Sequence, residues 1–121
     1  MPSGLEGCRV LLVEDEVLVA MLVEDILTDL GCTVVGPAAR LDAAIEAARS
    51  QDIDIAMLDV NLAGARVFPV ADVLAGRGLP FIFMSGYGES GLEGPHTGRP
   101  VIEKPFNPDS IAEKLRETLG R

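Results

Sequence analysis

Short, almost unbroken apolar runs alternate along this chain with longer segments of helical periodicity, and that alternation limits the fold more than any other feature. The runs are Arg9 to Val13, Thr33 to Pro37, Ile53 to Leu58, Pro80 to Met84 and Pro100 to Ile102. Val10 to Val13 and Phe81 to Met84 carry no polar residue at all, which suits strands covered on both faces of a parallel sheet. Between the runs, Glu16 to Leu30 places Val17, Ala20, Met21, Val23, Leu27 and Leu30 at mixed i+3 and i+4 spacing as an apolar stripe, with Gly31 as the stop. Asp42 to Arg49 and Val67 to Leu74 read as two further helices. A last helix starts from Asn107 as N-cap, with Pro108 in its first position and Asp109 in its first turn. The expected architecture is an α/β sandwich, a doubly wound parallel sheet with right-handed crossovers. One segment departs from the alternation. Gly86, Gly88, Gly91, Gly94 and Gly98, with Pro95 among them, disfavour a helix, so a short helix or a glycine-rich loop is expected there.

Charge and length narrow the partners. Nineteen acidic against ten basic residues leave a net charge of −9, which disfavours nucleic acid and anionic membranes as ligands. No apolar run approaches the roughly 18 residues needed to span a bilayer, and no basic-then-apolar leader opens the chain. Cys8 and Cys32 begin apolar runs and read as small core residues. The 121 residues are expected to form one domain, residues 1 to 121, acting in the cytoplasm.

Polar residues are informative where they end the apolar runs. Glu14, Asp15 and Glu16 follow the first run, Asp59 and Asn61 the third, Ser85 the fourth, and Glu103 and Lys104 the fifth. In an open parallel sheet the ligand crevice lies beyond the carboxyl ends of the strands, so these groups converge on one edge. Three carboxylates brought together repel one another unless a cation offsets them. Hard oxygen ligands with room for phosphate suit Mg²⁺, whereas one His and two separated Cys make no zinc cluster. Asp59 is a candidate carboxylate nucleophile, with Lys104 and the Ser85 hydroxyl as partners for phosphoryl oxygens. The chemistry points to an aspartyl-phosphate site.

Val13-Glu14-Asp15-Glu16, Leu58-Asp59-Val60-Asn61-Leu62, Met84-Ser85-Gly86 and Lys104-Pro105-Phe106 together resemble the receiver domain of two-component response regulators. The resemblance covers essentially the whole chain. It implies a flavodoxin-like (CheY-like) fold with five parallel strands in the order 2-1-3-4-5. It also implies that Asp59 accepts a phosphoryl group from a histidine kinase or a phosphotransfer protein. Asp15 and Asp59 would bind Mg²⁺ directly, Glu14 mainly through water, and Asn61 through its backbone carbonyl. Ser85 and Lys104 would hold the phosphoryl group, and the Lys104-Pro105 bond is expected to be cis. Such a domain is a phosphoacceptor that promotes its own phosphotransfer and dephosphorylation rather than a turnover enzyme, and is expected to be a monomer or weak dimer with a downstream protein target.

Several positions depart from the common family pattern. Ala63 stands where a Pro is usual, Val67 where a Gly is usual, and Val101 where the switch aromatic is usual. Pro80 to Gly88 instead resembles the subfamily nicknamed FAT GUY, often stand-alone receivers that act with kinases of the HWE or related type. With no aromatic ring at Val101, Tyr87 is the nearby candidate for the switch, and the segment Gly86 to Gly98 is expected to gain order on phosphorylation.

Rival readings are weaker. Gly86-Tyr87-Gly88-Glu89-Ser90-Gly91 matches a dinucleotide fingerprint, yet it follows the fourth run and no helical pattern opens within it. A flavin carrier shares the fold class but needs aromatic platforms, and the chain has no Trp and one Tyr. A pseudo-receiver that is never phosphorylated predicts loss of a key group, and none is lost. His96, among Gly and Pro, is expected to be a solvated loop residue.

Overall fold

In the computed structural model, residues 3–85, 96–103 and 106–121 are described. Of the expected short helix or glycine-rich loop from Gly86 to Gly98, residues 86–95 lie outside them. The elements follow in the order β1 (Arg9–Val13), α1 (Val17–Asp29), β2 (Thr33–Ala38), α2 (Leu41–Ser50), β3 (Ile55–Asp59), β4 (Asn61–Leu62), β5 (Ala65–Arg66), α3 (Phe68–Gly76), β6 (Phe81–Ser85), β7 (Val101–Glu103) and α4 (Pro108–Leu119). Five parallel strands pair in the order β2-β1-β3-β6-β7. These are the five apolar runs in the order 2-1-3-4-5, as the sequence leads one to expect.

Alternation along each strand divides the core in two. Val10, Leu12, Met57, Ile82, Met84 and Ile102 face one side, against Val23 and Leu27 of α1 and Ile111 and Leu115 of α4. Leu11, Val13, Ala56, Leu58, Phe81 and Phe83 face the other, against Ala44 and Ala48 of α2 and Val70 and Leu74 of α3. Burial on both faces explains why β3 and β6 contain scarcely any polar residue before their last position. α4 is capped as its sequence indicates: Oδ1 of Asn107 accepts from the backbone N–H of Asp109 at 2.8 Å, and Gly120 ends the helix in the left-handed region.

The structure corrects two expectations, the apolar stripe of α1 and the exposure of His96, and adds a hairpin that the sequence does not mark. The stripe on α1 is displaced: Ala20, Val23, Ile26 and Leu27 are buried, whereas Val17 and Met21 are exposed together with Leu18 (81%) and Leu22. The segment after Asp59 is a tight antiparallel hairpin, pairing Asn61 with Arg66 and Leu62 with Ala65. Its two turn residues, Ala63 and Gly64, both have positive φ (50° and 87°), the backbone a two-residue hairpin turn requires. Proline, locked near −65°, cannot take the conformation of Ala63, which accounts for its absence from that position. His96 is not solvated but only 4% exposed, packed among Phe68, Phe81 and Phe83. Among the described residues the cis peptide is Gly36-Pro37, and Lys104-Pro105 lies outside them.

Candidate functional site

The parallel register carries the acidic residues to one edge. Val13 of β1 pairs with Leu58 of β3, so Glu14, Asp15 and Asp59 leave the ends of adjacent strands side by side. One carboxylate oxygen from each of the three lies within 4.8 Å of the others. Glu14 (1% exposed) and Asp59 (6%) are buried, and Asp15 is partly exposed at the mouth. Oε2 of Glu14 accepts from the backbone N–H of Glu16 at 3.2 Å, which orients its carboxylate at the entry to α1.

Ser85 ends β6, the strand beside β3, where Asp59 pairs with Met84. The backbone N–H of Val60 donates to the Met84 carbonyl at 3.2 Å and holds these two strand ends together. Ser85 is itself 4% exposed and pairs with Glu103 of β7. The sequence-assigned residues Glu14, Asp15, Asp59 and Ser85 therefore share one sheet edge, with Asn61 one residue beyond Val60 on the hairpin. Lys104 and Tyr87 lie outside the described residues. Val101 sits half-buried in β7, paired with Phe83, an aliphatic side chain where an aromatic was missed in the sequence.

Arg66 joins the site, although nothing in its local sequence marks it. The hairpin places it opposite Asn61, and its guanidinium donates to Asn61 Oδ1 at 3.3 Å while lying 5.1 Å from the centre of the Phe68 ring. The only advance signal would have been the hairpin register, and Ala63 conceals that.

Three carboxylates held this close, two of them buried, form a donor set for a hard divalent cation. With a hydroxyl on the neighbouring strand, the edge has groups that can position a phosphoryl group once a cation offsets the carboxylates.

Residues 10–116 match the sequence profile described as "Response regulator receiver domain". The chain is 40% identical to SdrG from Pseudomonas melonis Fr1, solved in its BeF3-activated conformation, with a TM-score of 0.78 over 92% of this chain and 95% of that one. It is 32% identical to the phyllosphere-induced regulator PhyR of Methylorubrum extorquens over 92% of its own length and 43% of PhyR. At 24% identity it shares the fold of the receiver domain of the sensor histidine kinase PA1611 from Pseudomonas aeruginosa, solved with a magnesium ion in its active-site cleft (TM-score 0.80, covering 95% and 99% of the two chains). The chain spans about half the length of the curated relatives it matches.

Proposed function

This chain belongs to the response regulator receiver family, and we propose that within it Asp59 is the phosphoacceptor of a Mg²⁺-dependent two-component signalling reaction. The observation that carries the reading is the meeting of Glu14, Asp15 and Asp59 within 4.8 Å, beside Ser85.

An Asp59 carboxylate oxygen attacks the phosphorus of a phosphohistidine on a histidine kinase or phosphotransfer protein. The new O–P bond forms as the P–N bond breaks, and the electron pair leaves with the imidazole, which is then protonated from solvent. The Ser85 hydroxyl donates to one phosphoryl oxygen and, by family resemblance, Lys104 neutralises another. Glu14, Asp15, Asp59 and the Asn61 carbonyl are the groups that would hold Mg²⁺, which when bound offsets their charge and that of the phosphoryl oxygens. Burial of Glu14 and Asp59 keeps bulk water from screening these charges.

The exposed apolar residues Val17, Leu18, Met21 and Leu22 begin two residues after Asp15, continuous with the acidic mouth. A helical kinase domain presenting its phosphohistidine to Asp59 would cover them. In this reading the domain is a phosphoacceptor rather than a turnover enzyme and acts in the cytoplasm with a kinase of the HWE or related type. It passes the signal on by protein binding or serves as a phosphoryl sink or shuttle.

The test is intact-mass measurement after incubation with acetyl phosphate. One phosphoryl adduct is expected with Mg²⁺, none after chelation and none in Asp59→Asn. Labelling that survives in Asp59→Asn or in chelator overturns the assignment.

A further inference from the structure

We propose that Cys8 and Cys32, at the end of the sheet remote from the acidic edge, form an oxidisable dithiol that a peroxide converts into an intramolecular disulfide. The two residues immediately precede the paired positions Arg9 and Thr33, so they stand side by side on neighbouring parallel strands. The backbone N–H of Thr33 donates to the Cys8 carbonyl at 2.8 Å and fixes that alignment. Adjacent positions on paired strands bring Cα atoms within the separation a disulfide needs. Both side chains point into the same cluster beneath α1, alongside Leu5 and Leu27.

The Cys32 thiol has two acceptors in reach, the Leu5 carbonyl at 3.7 Å and the Cys8 sulfur. Hydrogen bonding from Cys32 lowers the Cys8 thiol below its ordinary range, and the same contact raises that of Cys32. Cys8 accepts in this contact and Cys32 donates, so with both side chains buried (1% and 8% exposed) we assign Cys8 as the attacking sulfur and Cys32 as the resolving one. The Cys8 thiolate attacks one peroxide oxygen and the O–O bond breaks, leaving a sulfenic acid on Cys8, while the departing hydroxide takes up the proton the thiol released and leaves as water. The Cys32 sulfur then attacks Cys8, the S–S bond forms, and the S–O bond breaks with loss of a second water. Two electrons pass from the sulfurs to the peroxide.

Treat the native full chain with hydrogen peroxide, alkylate in denaturant and measure mass. The expected product has lost two hydrogen atoms, takes up no alkylating agent, yields a Cys8–Cys32 linked peptide and melts at a higher temperature until dithiothreitol is added. In Cys32→Ser, the sulfenic acid should instead be captured on Cys8 by dimedone. Two alkylatable thiols after peroxide, an intermolecular link, or oxidation whose rate rises in step with the unfolded fraction in urea would each overturn the proposal.

Discussion

Nε2 of His96 lies 2.8 Å from Oδ1 of Asp72, tying a buried imidazole enclosed by aromatic side chains to α3, while its Nδ1 has no hydrogen-bond partner among the described residues. The imidazole stacks on Phe68 at 5.5 Å and meets Phe81 and Phe83 edge-on at 6.0 and 5.9 Å. His96 thus secures the segment entering β7 against α3 and β6. Packing and hydrogen bonding contribute separately, and variants divide them. His96→Ala should destabilise the fold by about 2–4 kcal/mol, since it empties a closed aromatic slot. His96→Phe keeps the slot filled and should cost no more than about 1 kcal/mol, the worth of one hydrogen bond. Equal losses in urea denaturation would show that the Asp72 contact, rather than the ring, holds the segment.

Glu14, Asp15 and Asp59 repel one another when no cation is bound. Asp59→Asn should therefore stabilise the metal-free protein, by about 1–2 kcal/mol for charges this close. In the wild type, Mg²⁺ at a hundredfold excess over its dissociation constant should add about 2.7 kcal/mol by mass action. The same addition should leave Asp59→Asn much less changed. Thermal melts with chelator and with Mg²⁺ check both, and a lower melting temperature for Asp59→Asn in chelator would contradict the repulsion argument.

The sheet and the acidic edge were legible because each rests on local pattern. Val10 to Val13 can be apolar throughout only if both faces are covered, and Asp59 closes a run whose other residues are all buried. What the pattern hid depends on residues distant in sequence or on backbone conformation. Ala63 holds φ at 50° without any residue type that advertises it, so the hairpin and the placing of Arg66 were invisible. The slot of His96 is assembled from α3 and β6, and nothing near residue 96 encodes it. Val17 and Met21 obey helical spacing, yet the face of α1 turned to the core is that of Ala20, Val23, Ile26 and Leu27, and it leaves them in solvent.

Ser85 is buried at the end of β6, on the strand next to the phosphoacceptor. A hydroxyl placed to donate to a phosphoryl oxygen acts in the transition state more than in folding. Ser85→Ala should slow labelling by acetyl phosphate about tenfold to a hundredfold. Its stability should change by no more than about 1 kcal/mol. Ser85→Thr, which keeps a hydroxyl, should recover most of the rate. Unchanged labelling in Ser85→Ala would remove Ser85 from the reaction.

Gly36 and Gly76 should respond in opposite directions to the same added methyl group. Gly36 lies in β2 with φ at 100°, and a Cβ there would stand 2.8 Å from the Ala38 nitrogen and 2.9 Å from the Leu12 carbonyl oxygen. Both obstructions are backbone, the Ala38 nitrogen in β2 itself and the Leu12 carbonyl in the neighbouring strand, so relief requires a shift of β2 against β1. Gly36→Ala combines backbone strain with overpacking and should cost about 2–4 kcal/mol. Gly76 closes α3 with no atom within 4 Å of a built Cβ and no positive φ. Alanine there keeps the helical backbone and narrows the unfolded ensemble, so Gly76→Ala should stabilise by about 0.5–1 kcal/mol. Because Gly36 lies two residues before Ala38, whose carbonyl accepts from the Glu14 N–H at 3.1 Å, the strain should also reach the acidic edge. Gly36→Ala should then bind Mg²⁺ more weakly than wild type at temperatures where both are folded, whereas Gly76→Ala should bind it equally well. Titration followed by thermal shift reads both, and equal Mg²⁺ affinity in a folded Gly36→Ala would show that β2 does not help to place Glu14.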